Sequence, residues 1–274
     1  MSVGIVAQMG NARAAFLADS IRETLADDGV EVAVDEATAE ALEIPGTPVD
    51  ELDDCELVVS IGGDGTFLFT ARNVGSVPIM GVNLGEVGFL NAVSPTDAVA
   101  AVRAEYERHR ETGSLRVQEL PRVRASGSDW TLEPALNEIV VHAPQRGPGQ
   151  GFTAEVRVDG SLYSGGHADG VIVSTVTGSS AYNLSEGGPL LMPGVEGLIV
   201  TEMCATDSMP SLVVSDDAEV VIRVDDATHA FAIGDGRRSQ QIDVPGEVTI
   251  TLADEPVRIA GPPVEFFDAL AKLD

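Results

Sequence analysis

Hydrophobic periodicity changes once along this chain, near Leu115, and that change limits the folds open to it. Before it, GIVAQ (4–8), VEVAV (30–34), ELVVSI (56–61) and PIMGVN (78–83) read as short buried strands. Between them, Ala14, Leu17, Ile21 and Leu25 mark one face of a helix over 11–27, and FLFTARNV follows a glycine stretch as another. Ser94-Pro95-Thr96-Asp97 opens a further helix that runs to about His109. Strands alternating with helices imply a parallel sheet covered on both faces. After Leu115 the segments LRVQEL, RVRASG, FTAEVRVDG, AEVVIRVDD and EVTITL are short, alternating and β-branched, with turn residues between them. The expectation is a three-layer α/β domain over 1–118 and an all-β, sandwich-like domain over 119–263. The tail FFDALAKLD is expected to form a helix within 264–274 that packs back on the first domain.

The 274 residues carry 16 Lys and Arg against 44 Asp and Glu, a formal charge of −28. Lys272 is the single lysine; every other basic residue is arginine. The acidic residues are spread along the chain, as on a solvated acidic surface. Such a surface repels itself in dilute buffer and is screened at molar salt, where the Debye length is about 3 Å. It resembles the composition of proteins from salt-accumulating archaea, and it argues against nucleic acid or an anionic membrane as a partner. Cys55 and Cys204 form no metal or redox motif and are expected to be buried, reduced thiols. The N-terminus lacks a basic region followed by a long apolar segment, so a cytoplasmic location is expected.

Between the third strand and its helix lies Gly62-Gly63-Asp64-Gly65-Thr66. Glycines at such a junction let backbone N–H groups approach phosphate. A P-loop is excluded, because it needs a lysine, and the dinucleotide fingerprint G-x-G-x-x-G is not matched either. The pentapeptide resembles the GGDGT signature shared by NAD kinases, diacylglycerol and sphingosine kinases and phosphofructokinases. NLGEVGFL (83–90), LNEIVVH (136–142) and DGVIVSTVTGSSAYNLSEGGPLLMP (169–193) are similar, in order, to three further NAD kinase segments.

That resemblance implies the NAD kinase fold, a Rossmann-like α/β domain followed by an all-β domain, with the active site in the cleft between them. It implies transfer of the terminal phosphoryl group of ATP, or of polyphosphate, to the 2′-hydroxyl of the adenosine ribose of NAD. A secondary alcohol needs a base to take its proton as the bond to phosphorus forms. The resemblance gives that role to Asp64 and phosphate contact to the N–H groups of Gly62, Gly63, Gly65 and Thr66. It gives contacts with ribose or nicotinamide-side hydroxyls to Asn137 and Glu138, dinucleotide contacts to His167 and Asp169, and a binding stretch to Ser180, Ala181, Tyr182, Asn183, Leu184 and Ser185. Phe89 maps to a wall beside the adenine. Magnesium is expected on the donor phosphates, with no dedicated ligand cluster on the chain, and a homodimer or homotetramer is expected.

This sequence departs from the family pattern at Val176, at Glu86, at Arg237 and through residues 201–214, where neither His nor Arg appears. A lipid or sphingoid kinase sharing GGDGT would need an apolar groove in place of the Asn-Glu pair. A non-catalytic NAD(P)-binding regulator would have no use for Asp64.

Overall fold

The computed structural model describes residues 1–85, 89–145, 147 and 150–271. It divides into two compact units, Met1–Leu120 with Val257–Asp274, and Pro121–Pro256. In the first unit β1 (Ser2–Ala7), β2 (Glu31–Val34), β3 (Leu57–Gly62) and β4 (Ile79–Asn83) pair in parallel in the order β2-β1-β3-β4. β3 and β4 are buried at every position, which is why they read as continuous apolar runs instead of alternating ones. Helix α1 (Ala12–Asp27) starts where the Asn11 side chain accepts the N–H groups of Arg13 and Ala14, and it buries Ala14, Ala18, Ile21 and Leu25.

Helix α2 (Glu36–Leu42) was not expected from the sequence. It has seven residues and buries only Thr38 and Ala39, so no apolar repeat announces it. Its cap, Asp35, is buried and also accepts the Ala7 N–H at 3.2 Å, tying the helix start to β1. Helix α3 (Asp64–Asn73) follows β3, and α4 (Ala98–Thr112) runs one turn past His109, stopping at Gly113 with φ 72°. Strand β5 (Val117–Leu120) closes this stretch of chain.

The second unit holds β6 (Val123–Ser126), β7 (Glu138–His142), β8 (Phe152–Val158), β9 (Ser161–Ala168), β10 (Gly170–Ser174) and β11 (Leu198–Met203). It continues with β12 (Leu212–Val214), β13 (Val220–Asp225), β14 (His229–Gly234), β15 (Arg238–Asp243) and β16 (Gly246–Leu252). They form two antiparallel sheets, ordered β12-β11-β10-β7-β14-β15 and β6-β16-β13-β8-β9. Val123, Phe152, Val156, Ile222 and Ile250 of one sheet share a core with Ile139, Val141, Val173 and Val200 of the other. That is sandwich packing, and β8 and β13 show the alternation it requires.

The central strands β7 and β10 are buried on their outer face as well. There Val140, Ile172 and Met203 pack with Tyr182. Tyr182 opens α5 (Tyr182–Ser185), which follows a 3₁₀ turn at Thr177–Ser180. Thr175 ties this segment to the residues before β7: its hydroxyl donates to Leu136 O at 2.6 Å, and its N–H donates to Asn137 O at 2.9 Å. Gly178 sits so close that a Cβ there would overlap the Asn137 carbonyl.

The chain then returns to the first unit. β17 (Val257–Ala260) lies parallel to β4 and antiparallel to β5, completing the order β2-β1-β3-β4-β17-β5. The sequence places these residues in the β domain, because Val257-Arg258-Ile259-Ala260 carries no local sign of which sheet it joins. Helix α6 (Phe266–Leu270) brings Phe266 against Phe89, with ring centroids 5.9 Å apart. One expectation is corrected: Cys55 is half-buried and Cys204 is exposed. Cys204 lies just past the end of β11 with φ 49°, in a loop that leaves the sheet. Among the described residues no helix is long and apolar enough to cross a membrane.

Gly178→Ala is expected to lower stability by about 1–3 kcal/mol, since its methyl meets backbone that cannot rotate away. Denaturant unfolding in molar KCl measures the loss.

Candidate active site

The first cluster is built where β3 ends. Gly62 is its last residue, Gly63 caps the helix, and Asp64 is the first residue of α3. A Cβ on Gly62 would overlap the Thr66 side chain, so only glycine lets the strand turn so tightly into the helix. The glycine stretch is therefore helical from Asp64 onward, earlier than its composition suggests. The Thr66 N–H donates to Gly63 O at 2.9 Å and is committed within the turn. The N–H groups of Asp64 and Gly65, in the first turn, have no intrahelical acceptor, and they lie at the positive end of the helix dipole.

The Asp64 carboxylate is held by one short segment. Asn91 Nδ2 donates to Asp64 Oδ1 at 2.9 Å, and the backbone N–H groups of Phe89 and Leu90 donate to the same carboxylate. Burial nevertheless pushes its pKa above the usual aspartate value, and the three donors only partly offset that. Phe89 is half-buried, with Phe266 as its aromatic neighbour.

The second cluster surrounds β7. Asp235, at φ 46°, accepts the N–H groups of Leu136 (2.9 Å), Asn137 (2.8 Å) and Glu138 (3.4 Å), and returns its own N–H to Glu138 O at 3.1 Å. This clamp fixes the backbone of the Asn-Glu pair. Asn137 is half-buried, whereas Glu138 is 6% exposed. The Tyr182 N–H donates to the Glu138 carboxylate, yet Oε2 is buried with no partner. Burial, and then repulsion from Asp235, push the Glu138 pKa up to about 7.

Asp169 is buried, and its carboxylate accepts the Gly147 N–H at 3.1 Å. His167 Nε2 lies 2.5 Å from the Gln150 carbonyl, so both residues hold the segment between β7 and β8. Ser180, Ala181, Tyr182 and Leu184 are half-buried and Ser185 is exposed. Asn183 is fully buried: its Nδ2 donates to Ser179 O and Pro189 O, and its Oδ1 accepts from the Thr201 hydroxyl at 2.9 Å. Its amide therefore holds the turn together from inside.

Residues 201–214, where the sequence departs from the family pattern, are tied in by other groups. The Thr201 hydroxyl is also 3.0 Å from Ser211 Oγ, from which it can accept, Glu202 accepts the Ser164 hydroxyl and the Met209 N–H, and Tyr163 donates to Pro210 O. Arg237 is exposed in the turn after β14, and Glu86 lies outside the described residues. Among the described residues no three His, Cys, Asp or Glu side chains cluster as a metal site.

Sequence reasoning missed Asn91, Asp235 and Thr201. A lone asparagine after Gly88-Phe89-Leu90, and an Asp-Gly turn at 235–236, were the available signals. Neither says which distant group the side chain meets.

Comparison with known proteins bears on the family of the whole chain. Residues 3–110 match the model of the ATP-NAD kinase N-terminal domain, and residues 136–261 match that of the ATP-NAD kinase C-terminal domain. The NAD kinase of Halobacterium salinarum is 56% identical over the whole of both chains. The crystal structure of an NAD kinase from Archaeoglobus fulgidus in complex with ATP superposes with a TM-score of 0.80 at 27% identity, covering 99% of each chain. Yeast NADH kinase complexed with NADH shares the fold, with a TM-score of 0.82 at 20% identity over 100% of this chain and 87% of its own. Two family models that together span more than half of the sequence, and a full-length relative at this identity, place the chain in the ATP-NAD kinase family.

Proposed function

We propose that this protein transfers the terminal phosphoryl group of ATP, or of polyphosphate, to the 2′-hydroxyl of the adenosine ribose of NAD, forming NADP. The observation that carries the proposal is the Asp64 carboxylate, set at a helix N-terminus within the GGDGT turn and held by three donors. As the base, Asp64 takes the proton of the attacking hydroxyl, and a pKa raised by burial makes it a stronger acceptor near neutral pH. The Asp64 and Gly65 N–H groups and the helix dipole face the phosphates of the donor. Asn137 and the ionised Glu138 accept the paired ribose hydroxyls, and Tyr182 offers a ring to a flat base. His167 and Asp169 order the segment beside them.

Magnesium, which keeps several waters and binds through substrate phosphates, would be held mainly by the donor itself. When bound, the ion neutralises charge on the donor phosphates. The reading extends to a homodimer or homotetramer working in a salt-rich cytoplasm. Support comes from the charge of −28 with a single lysine, and from exposed Met192, Val195 and Val213 near the edge strand β12.

Purified protein in molar KCl with magnesium, ATP and NAD should yield NADP, read with an NADP-specific dehydrogenase. Turnover of lipid alone, or NAD binding without turnover, would overturn the proposal. Asp64→Asn should cut kcat by about 10²–10⁴-fold while leaving NAD binding largely intact.

Glu138 gives a pH signature. Its ionised form binds the hydroxyls, so the KM for NAD should fall as pH rises through about 7. A carboxyl whose folded-state pKa is raised weakens the fold once it ionises. The penalty is absent well below the ordinary value of 4.5 and complete above about 7. Glu138→Gln should therefore raise the thermal midpoint at about pH 8, raise the KM for NAD by about tenfold, and flatten its pH dependence. Thermal unfolding and initial rates from about pH 6 to 9 test the three together.

A further inference from the structure

Asn91 is wholly buried, but only half of its amide is used. Nδ2 donates to Asp64 Oδ1, while Oδ1 is buried without a hydrogen-bond partner. A buried, unpaired carbonyl oxygen costs free energy, so an apolar side chain of similar size would serve packing better. The surrounding structure nonetheless makes room for it. A Cβ on Gly81 of β4 would overlap Asn91 Oδ1 and come within 2.7 Å of the Leu90 carbonyl. The segment is also pinned lengthwise along β4, where Asn83 N–H donates to Val93 O at 2.9 Å and Val93 N–H donates to Gly81 O at 3.2 Å. Asn91 is thus rigidly placed, with its donor end on the carboxylate.

We propose that Asn91 is a positioning residue for phosphoryl transfer: its amide, with the Phe89 and Leu90 N–H groups, fixes the orientation in which the Asp64 carboxylate meets the ribose hydroxyl as its proton acceptor. The inference rests on Asp64 being the base. Three donors from consecutive residues fix the plane of the carboxylate, and Asn91 supplies the only one of them that a side-chain substitution can remove. No charged side chain among the described residues contributes to the shift at Asp64, whose environment is burial together with these three donors. Losing one donor to the ionised form moves the pKa further up.

The test compares NADP formation by wild type, Asn91→Leu, Asn91→Asp and Asp64→Asn from about pH 5 to 9 in molar KCl with magnesium, ATP and NAD. Asn91→Leu should lower kcat by about 10–100-fold, as expected for a hydrogen bond to a charged group, with the KM for NAD within about threefold of wild type. Its acid limb should move to higher pH, and its thermal midpoint should not fall, because the unpaired oxygen is gone. Asn91→Asp keeps the shape and sets a second carboxylate against the first, so its acid limb should move further than that of Asn91→Leu. It also decides the matter if Asn91→Leu does not fold. A wild-type kcat and acid limb in the Asn91 variants, with Asp64→Asn inactive, would overturn the positioning role and leave the base intact. Activity of Asp64→Asn within tenfold of wild type would overturn the base itself, and the inference with it.

Discussion

The Thr66 side chain folds back over Gly62, and that contact lets β3 run into α3 with only Gly63 between them. Much of the first cluster depends on this tight junction. It sets Asp64 at the head of the helix, at the carboxyl edge of the sheet, where Gly62 pairs in register with Asn83. The chain that leaves β4 comes back along the same strand through Val93 and carries Phe89, Leu90 and Asn91 to the carboxylate. A wider turn would move Asp64 away from donors whose own position β4 dictates. The carboxylate is thus both desolvated and hydrogen-bonded, and desolvation is the larger effect on its pKa.

The second unit uses the same close approach of backbone at Gly178, where the long signature segment lies against the Asn137 carbonyl. Here two carboxylates share a neighbourhood and are treated unequally. Asp235 meets three backbone donors, while Glu138 has the Tyr182 N–H and one bare buried oxygen. The mismatch falls on Glu138, which holds its proton up to about pH 7. A group left under-satisfied in the folded chain costs stability that only a further polar partner would restore.

How far the sequence could be read depended on the range of each interaction. The stripe of α1, the apolar runs of β1, β3 and β4, and the alternation in β8 and β13 follow from local burial and were legible. Helix α2 was not, because one capping aspartate and two small buried residues leave no periodic trace. β17 was misplaced, because its partner strands lie far away in the sequence. The signature says nothing of the Asn183 amide, whose three partners inside the turn only the fold supplies.

By itself, the sequence determined the α/β-then-β order, the acidic surface and the family, since periodicity, charge and contiguous motifs are properties of neighbouring residues. Only the tertiary structure decided which groups surround each carboxylate. Asn91 meets Asp64 across 27 positions, and Asp235 meets Asn137 across 98. Such pairings arise from strand register and loop return, and burial strength follows from them, so the proton affinities of Asp64 and Glu138 could not be read until the chain was folded.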